Sequence, residues 1–497
     1  MAMAWNRESF ADGGSTSAWL RDWSARQFGE SAAEAAADIM TTYGMLTARM
    51  KYEDLSKTPF AFSTLNYDEA ERNFNEWTDL LTKAQAVYDG LTAELRSPFF
   101  EVVLHPVMAG RGVYEIYTKT ARGSQYASEH RTSANKLGRE VQAAFAADAE
   151  ITRRYHGMKG GKWDGIMAQT HIGYNNWQEP PQNSLPPLSW VTTAAGRGIM
   201  GVSVQGSSAS FPTSSTLNLG GINPYLPAAD QRWLEVYTRD NGTFSYTITS
   251  NASFVTVSNP QHTLSAPSGT SDMRSILTID WDSAPSGSSV AALTVTNTNS
   301  PSSRATILVP LSNHRAPAGF AGHIESSGVI SIEAAHFAPD SSPAYLTIPT
   351  YGRTHSGVKL PPNHPSQPAD GTGPVLVYPF YTFSNTTAAS LTVYLSASDN
   401  ANPTRPNRYA FSVDGGSPAT VQPVPLTDQS RDPPGWGDAV TRNAWVTKQG
   451  LGRRGAGWHT LRVWLLEPTM VLTKVVVDVG GGRESWMGPV ESFRAGV

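Results

Sequence analysis

The sequence predicts a multidomain chain in which α structure precedes β structure. We expect a helical bundle followed by two antiparallel β-sandwiches, a small immunoglobulin-like one and then a larger one of jelly-roll type. Apolar residues recur at helical spacing up to about residue 160, whereas the chain after Trp190 is rich in Gly, Ser, Thr and Pro. The 497 residues correspond to about three domains. We place a bundle with an aromatic-rich connector at 1–190, a linker with the small sandwich at 191–315, and the C-terminal sandwich at 316–497.

The helices are predicted from apolar stripes and from capping residues. The clearest stripe is Tyr67–Leu91, where apolar residues recur at alternating spacings of four and three, and a second occupies Ala134–Ala149. Two shorter helices are expected at Ser17–Gly29 and, from a capping box, at Ser31–Tyr43. The Ser97-Pro98 pair predicts the start of a further helix. About five antiparallel helices with short loops form a bundle.

The β part is predicted from short β-branched and aromatic runs between turn residues. In the small sandwich we expect strands at Trp233–Thr238, Phe244–Thr249, Phe254–Ser258, Ile276–Trp281, Ala291–Thr296 and Ala305–Val309. In the C-terminal sandwich we expect strands at Val329–Glu333, Tyr345–Ile348, Val375–Tyr378, Leu391–Ser396, Tyr409–Val413, Thr420–Val424, Trp458–Leu466 and Val471–Val479.

Three connecting segments carry further expectations. Asp414-Gly415-Gly416 predicts a hairpin turn with positive φ, which glycine adopts without strain. Glu467–Met470 predicts a second hairpin between two long strands, and residues 191–229 are expected to be an irregular linker.

The connector Gly160–Trp190 reads GGKWDGIMAQTHIGYNNWQEPPQNSLPPLSW. Its proline pairs prevent one regular element, and its aromatic rings beside amide and hydroxyl groups suit the two kinds of surface on a sugar ring. The alternative interpretation is an aromatic plug in an interdomain core, and the two roles are compatible. The candidates for substrate binding or cleft lining are Lys162, Trp163, His171, Tyr174 and Trp177.

Composition and motifs exclude several classes of function. A net charge of −4 gives no basic field for nucleic acid or an anionic membrane. The chain contains no cysteine, and it lacks a His-Glu-x-x-His motif, a Walker loop and a Gly-x-Ser-x-Gly elbow. We therefore expect no metal and no cofactor, and we assign no catalytic residue.

Three sequons, at Asn241, Asn251 and Asn385, lie in the β part and are glycosylation candidates of a secreted protein. The N-terminus has no signal-peptide pattern, and no run of about 18 apolar residues follows. The expectation is therefore either a cytoplasmic protein or a chain whose true start is missing.

Several long motifs resemble the C-terminal half of glycoside hydrolase family 115, the xylan α-1,2-glucuronidases. In chain order they read WLRDWSARQFG, LNYDEAERNFNEW, SPFFEVVLHPV, GKWDGIMAQTHIGYNNWQEPP, ISIEAAHF and IPTYGRTHSGVKLPP. The resemblance implies an N-terminal domain, a TIM-like barrel with the catalytic residues, a helical bundle and C-terminal β domains. It also implies secretion of the full-length enzyme, homodimers, no required metal, and removal of glucuronic or 4-O-methylglucuronic acid from glucuronoxylan or xylo-oligosaccharides.

The chain departs from that pattern at its start, because MAMAWN is similar to the family sequence just after the barrel. The first 160 residues contain no alternating strands from which βα units could be built. We therefore expect the accessory portion of a glucuronidase, inactive by itself. Two alternatives remain open: a stand-alone carbohydrate-binding protein that uses Trp445 and Trp458 of the C-terminal sandwich, or a dimerisation scaffold without a ligand.

Overall fold

The computed structural model of the chain describes residues 15–55, 60–174, 179–194, 196–400, 402–427 and 431–496. Helices occupy the N-terminal part and mainly antiparallel sheets the remainder, which confirms the predicted fold class. Among the described residues, every helix is too short or too polar to span a lipid bilayer.

Six helices form the bundle. They are α1 (Ser15–Phe28), α2 (Ala33–Ala48), α3 (Glu69–Gly90), α4 (Ala93–Phe99), α5 (His105–Ser128) and α6 (Ala134–His156). The apolar stripe predicted for α3 is confirmed, since Ala70, Trp77 and Ala84 are buried. Trp77 packs against Tyr43 of α2 and Tyr114 of α5, with ring centroids 5.8 and 5.0 Å away. An indole that fills the gap between three helices fixes their spacing, because protein cores are close-packed.

Two predicted helix starts are wrong. Pro98 lies inside α4 rather than at a helix start, and a π turn at Phe100–Leu104 carries the chain directly into α5. Burial of the apolar residues on this turn outweighs the hydrogen bond that proline removes. Ser31 does not cap α2, which begins at Ala33 after a 3-10 turn that contains the serine.

The middle part of the chain is a sandwich of two five-stranded sheets. Its strands are β1 (Met200–Val204), β2 (Ser210–Phe211), β3 (Thr216–Asn218), β4 (Trp233–Thr238), β5 (Thr243–Ser250), β6 (Val255–Val257), β7 (Gln261–Ser265), β8 (Asp272–Ile279), β9 (Gly287–Asn297) and β10 (Arg304–Asn313). The strand orders are β2-β1-β4-β8-β6 and β3-β10-β9-β5-β7, with only the β3–β10 pair parallel. Alternate residues of β5, β9 and β10 are buried between the sheets, as period-2 strands require.

The expectation of an irregular linker at 191–229 is wrong, because β1, β2 and β3 lie there. β1 pairs with β4 over five residues and places Val202 and Val204 in the core. The strand was missed because its glycine and serine weaken the β signal. Gly201 is needed at its position, since a Cβ there would overlap the ring of Tyr237 on the neighbouring strand.

The C-terminal part contains twelve strands and one short helix among the described residues. They are β11 (Gly322–Ile324), β12 (Val329–Glu333), β13 (Leu346–Pro349), β14 (Ser356–Lys359), β15 (Leu376–Thr382), β16 (Thr386–Leu395), β17 (Tyr409–Val413), β18 (Ala419–Val421), α7 (Trp436–Arg442), β19 (Trp445–Arg454), β20 (Gly457–Leu465), β21 (Leu472–Asp478) and β22 (Arg494–Ala495). One sheet has the order β18-β17-β20-β15-β11-β22 and the other β13-β14-β21-β16-β19, with β12 also paired to β21.

Of the two hairpins predicted here, one is confirmed. Asp414 and Gly415 have φ of 55° and 74° between the paired strands β17 and β18. Glu467–Met470 does not close a hairpin, because β20 belongs to one sheet and β21 to the other. Both strands bury inward-facing residues in the same core, so their apolar patterns do not reveal which sheet each one joins.

A buried arginine joins the bundle to the middle sandwich. Arg131, in the loop between α5 and α6, donates hydrogen bonds at 2.5 Å to Glu129, to Glu235 of β4 and to Ser203 of β1. Its guanidinium lies between the rings of Tyr126 and Tyr237, 4.0 and 4.1 Å from their centroids. Burial alone would raise the pKa of Glu235, but the charges of Arg131 and Arg274 lower it to about 2.

The tail that follows β21 joins the C-terminal part to the bundle. The buried carboxylate of Glu69, at the start of α3, accepts the backbone N–H groups of Trp486 at 2.9 Å and Met487 at 2.6 Å. The indole of Trp486 donates to the carbonyl of Arg49 at 2.8 Å, and Arg353 donates to the carbonyl of Trp486. The bundle therefore contacts both β parts of the chain.

We predict that Arg131→Ala destabilises the protein by about 3–5 kcal/mol, because it leaves the buried carboxylate of Glu129 without its cation and removes one of the cations that pair with Glu235. Thermal unfolding, with limited proteolysis to detect release of the sandwich, measures the effect. Arg153→Ala is the matched control, since Arg153 pairs with Glu150 in solvent and its loss leaves stability unchanged. Equal unfolding temperatures for Arg131→Ala and the parent chain would contradict the prediction.

Candidate functional site

A cavity of about 410 Å³ opens on the helical bundle, and we name it the bundle pocket. It lies between α5, α6, the segment after α2, and residues 166–174 of the connector. Its lining includes Tyr43, Tyr52, Glu53, His105, Pro106, Val113, Asp148, Ile166, Met167, Gln169, Thr170, His171 and Tyr174. The mixture of aromatic, apolar and hydrogen-bonding side chains is typical of small-molecule sites.

An imidazole–carboxylate pair forms the polar centre of the pocket. His171 Nε2 is 2.9 Å from both carboxylate oxygens of Asp148, which is buried on α6, and His171 Nδ1 is 3.0 Å from the carbonyl oxygen of Gln169. The hydrogen bond to Asp148 raises the pKa of His171 above its ordinary value. The pair thus favours an imidazolium that bridges the connector and α6.

A second histidine in the pocket, His105, has a lowered pKa, in contrast to His171. Burial lowers the pKa of His105, at the start of α5, to about 4, so this imidazole is neutral at pH 7. Its ring packs against Tyr155 at a centroid distance of 4.6 Å, and its Nδ1 has no hydrogen-bond partner among the described residues. Burial also raises the pKa of Tyr52 well above its usual value, which keeps the phenol neutral. The pocket therefore combines a neutral and a charge-prone imidazole with phenol groups.

The side chains predicted from the connector are only partly brought together. His171 and Tyr174 line the bundle pocket, whereas Lys162 and Trp163 do not. Trp163 packs half-buried against the bundle core, as expected of an aromatic plug, and the ammonium of Lys162 lies 4.5 Å from the centroid of its ring. Trp177 falls outside the described residues.

Sequence reasoning missed Asp148, His105 and Tyr52. Asp148 is an acid on the buried side of α6, next to Ala149 of the predicted stripe, and a carboxylate in that position signals a buried partner. His105 and Tyr52 gave no comparable signal, because only the packing of α5 against the connector and the segment after α2 brings them to the cavity.

The geometry of the pocket suits binding of a polar ring better than hydrolysis of a glycosidic bond. Glycoside hydrolysis needs two carboxyl groups free to exchange protons with substrate and water. Both oxygens of Asp148 contact His171, so Asp148 would have to break that pair to act as an acid. Ile166 and Met167, with exposed fractions of 58% and 37%, give the rim an apolar surface.

The tryptophans of the C-terminal sandwich occupy two different environments. Trp445, the first residue of the edge strand β19, is buried in the core and packs against Trp436 of α7. Trp458 is 56% exposed on β20, beside Phe320, and lies directly opposite Tyr381 of β15. The side chains of the three sequon residues Asn241, Asn251 and Asn385 are all exposed.

We predict that His171→Asn destabilises the protein by about 1–2 kcal/mol at about pH 6, because a charge-assisted hydrogen bond to a buried carboxylate is lost. The folded pKa of His171 is raised, so this contribution is complete below the unfolded pKa and disappears as pH rises through the folded pKa. The stability difference between variant and parent chain should therefore shrink towards about pH 9.

Denaturant unfolding across this pH range measures the difference. His130→Asn, at an exposed histidine after α5, is the control and should show a constant difference. A His171→Asn difference that stays constant or grows with pH would contradict the prediction.

Comparisons with known proteins identify two segments of the chain. Residues 322–491 match the glycosyl hydrolase family 115 C-terminal domain, and residues 1–54 match glycosyl hydrolase family 115. No curated protein matches the chain.

Among solved structures, the chain is similar to a family GH115 4-O-methyl-α-glucuronidase, BtGH115A, with specificity for decorated arabinogalactans. The TM-score is 0.53 at 15% identity, over 96% of this chain and 43% of that one. The chain thus spans less than half the length of that enzyme, and at this identity the likeness establishes the fold.

Two carbohydrate-binding modules also match, with TM-scores of 0.21, which are too low to support an argument. The C-terminal CBM6 of LamC from Zobellia galactanivorans is 12% identical over 30% of this chain and 98% of the module. The family 35 module from Clostridium thermocellum is 12% identical over 30% and 97%.

The two family matches lie at opposite ends of the chain, and the structural match extends over nearly all of the residues between them. Both segments, 1–54 and 322–491, therefore belong to glycosyl hydrolase family 115.

Proposed function

We propose that this chain is the accessory portion of a xylan α-1,2-glucuronidase, which removes glucuronic or 4-O-methylglucuronic acid from xylan side chains. The observation that carries the proposal is the combination of two family 115 segments with described residues that form no closed ring of parallel strands. Within the described residues, the only parallel strand pairs are β3–β10 and β11–β15, which lie in two different sandwiches. A TIM barrel needs eight parallel strands in one closed sheet.

In this proposal the bundle pocket and the connector support the substrate cleft. Tyr174 would offer its hydroxyl to a sugar, and His171, whose two nitrogens bond Asp148 and Gln169, would pack its ring against it. Lys162 and Trp163 would contribute to the outer wall of the cleft, and Trp177 remains a candidate from the sequence alone. The exposed Ile166 and Met167 on the rim are suited to a second chain, which supports a homodimer in the whole enzyme.

Secretion of the whole enzyme belongs to the same proposal. The three sequon residues are exposed, so each could accept a glycan without disturbing a core. A polymeric substrate such as glucuronoxylan requires an enzyme outside the cell.

We predict that the 497-residue chain releases no glucuronic acid from glucuronoxylan or aldouronic acids, because the described part of the chain provides no free pair of carboxyl groups in the bundle pocket. Chromatography of the released acids, with an active family 115 glucuronidase as the positive control, measures this. Release by the parent chain would overturn the proposal. Glu53→Gln and Asp148→Asn would then test whether the pocket itself is the source.

A second candidate function is carbohydrate binding by the C-terminal sandwich. It is favoured by Trp458, an exposed indole on a sheet face with Tyr381 directly opposite on the next strand. Neighbouring aromatic rings on a sheet can stack against successive sugar rings.

We predict that glucuronoxylan retards the parent chain in affinity electrophoresis and that Trp458→Ala abolishes most of the retardation. Trp190→Ala is the matched control, since Trp190 is also half exposed but contacts α6 of the bundle. Trp445→Ala removes a buried indole, so it should act on stability and leave binding by the folded protein unchanged. No retardation of the parent chain, or equal retardation of Trp458→Ala, would remove this candidate.

A further inference from the structure

Two histidines and a glutamate from separate parts of the C-terminal sandwich meet at one point. His323 lies on β11, His336 follows β12, and Glu491 lies in the tail between β21 and β22. Glu491 Oε1 is 3.2 Å from His323 Nε2 and 2.6 Å from His336 Nδ1. The three ligand atoms all lie within 4.8 Å of one another. Their spacing along the chain, 13 and 155 residues, resembles no short metal motif, which is why the sequence predicted no metal.

We propose that these residues form a zinc site, with His323 Nε2, His336 Nδ1 and Glu491 Oε1 as ligands and water in the fourth position. Two imidazoles and one carboxylate form a donor set that zinc prefers. Calcium and magnesium prefer sites made of oxygen ligands, so this set disfavours them.

Zinc binding requires these ligand atoms to adjust their spacing. Ligands about 2.1 Å from a tetrahedral zinc ion lie about 3.4 Å apart. The His323–Glu491 distance of 3.2 Å is already close to that value, and the His336–Glu491 contact must lengthen. His323 is 1% exposed whereas the side chains of His336 and Glu491 are each more than a quarter exposed, so an ion can enter from the solvent side.

Groups around the cluster affect its expected affinity for zinc in both directions. The backbone N–H of Glu333 donates to Glu491 Oε1 at 3.1 Å and orients the carboxylate. The buried ammonium of Lys474 pairs with the Glu333 carboxylate at 3.4 Å and donates to the carbonyl of Pro489. His323 Nδ1 has no hydrogen-bond partner among the described residues, and a missing second-shell partner costs about 10–100-fold in affinity.

The ion would stabilise the junction between the C-terminal sandwich and the bundle. Glu491 belongs to the tail whose Trp486 and Met487 donate to Glu69 of α3. A metal bond from that tail to β11 and to the residues after β12 would hold it on the sandwich. Zinc binding should therefore raise the thermal stability of the whole chain.

The test uses the 497-residue chain without an affinity tag, stripped of metal by a chelator. Zinc is titrated by calorimetry, and cobalt is added as a spectroscopic probe because tetrahedral Co²⁺ absorbs strongly in the visible range. The variants are His336→Ala and Glu491→Gln. The matched control is His459→Ala, since His459 also contacts one carboxylate, Asp414 at 2.7 Å, but has no third ligand.

We expect one zinc per chain in the parent and in His459→Ala, a tetrahedral cobalt spectrum, and at least tenfold weaker binding in both cluster variants. Calcium should not bind there. His336 is partly exposed, so His336→Ala decides the matter if Glu491→Gln does not fold. If the parent chain does not bind one zinc ion, or if His336→Ala binds zinc as tightly as the parent, Glu491 is simply a hydrogen-bond acceptor for two imidazoles. Either result would overturn the zinc site.

Discussion

The arrangement of bundle and middle sandwich depends on the buried guanidinium of Arg131. Removal of such a cation from water costs several kcal/mol, which is recovered only when good partners surround it. Here Glu129 comes from the bundle side and Glu235 and Ser203 from two adjacent strands, while Tyr126 and Tyr237 cover the two faces of the cation. A shift of either body would leave charges buried without partners. The main effect of the interaction is therefore that one arrangement of bundle and sandwich has a much lower free energy than slightly shifted arrangements.

The C-terminal part is fixed by a different kind of contact. Its tail has little regular structure, and two backbone N–H groups of the tail donate to the carboxylate of Glu69. Nearby, the side chain of Arg49 donates to the carbonyl of Arg353. Buried backbone groups need partners, and an irregular segment finds some of them in side chains. The carboxylate of Glu69 on α3 thus accepts backbone hydrogen bonds of the tail that a neighbouring strand would accept in a sheet. The two sandwiches also contact each other directly, since Arg483 of the tail pairs with Asp230 and the ring of Tyr225 stacks on that of Phe383.

Elements with a strong local signal, either a helical apolar stripe or a short β-branched and aromatic run, were predictable from the sequence. The stripe of α3 and the strands β4, β12 and β17 appear where their patterns predicted them. β1 was not predicted, because its glycine and serine carry no burial signal. The sheet partners of β20 and β21 were not predicted either, because the two sheets share one core. In the bundle pocket, His171 and Tyr174 were found from connector composition. Asp148 and His105 depend on contacts between α5, α6 and the connector, which no local pattern encodes.

In the described part of the connector, residues 161–174 and 179–190, side chains hold a backbone that forms neither α-helix nor strand. Asn183 Oδ1 accepts the backbone N–H groups of His171 at 2.7 Å and Ile172 at 3.0 Å, and Gly173 donates to the hydroxyl of Tyr117. With the bond from His171 to Asp148, these contacts hold the segment on α5 and α6. A surface that is ordered before binding loses less conformational entropy when it meets a ligand or a second chain. The same hydrogen bonds that shape the bundle pocket therefore also make its rim suitable as a contact surface.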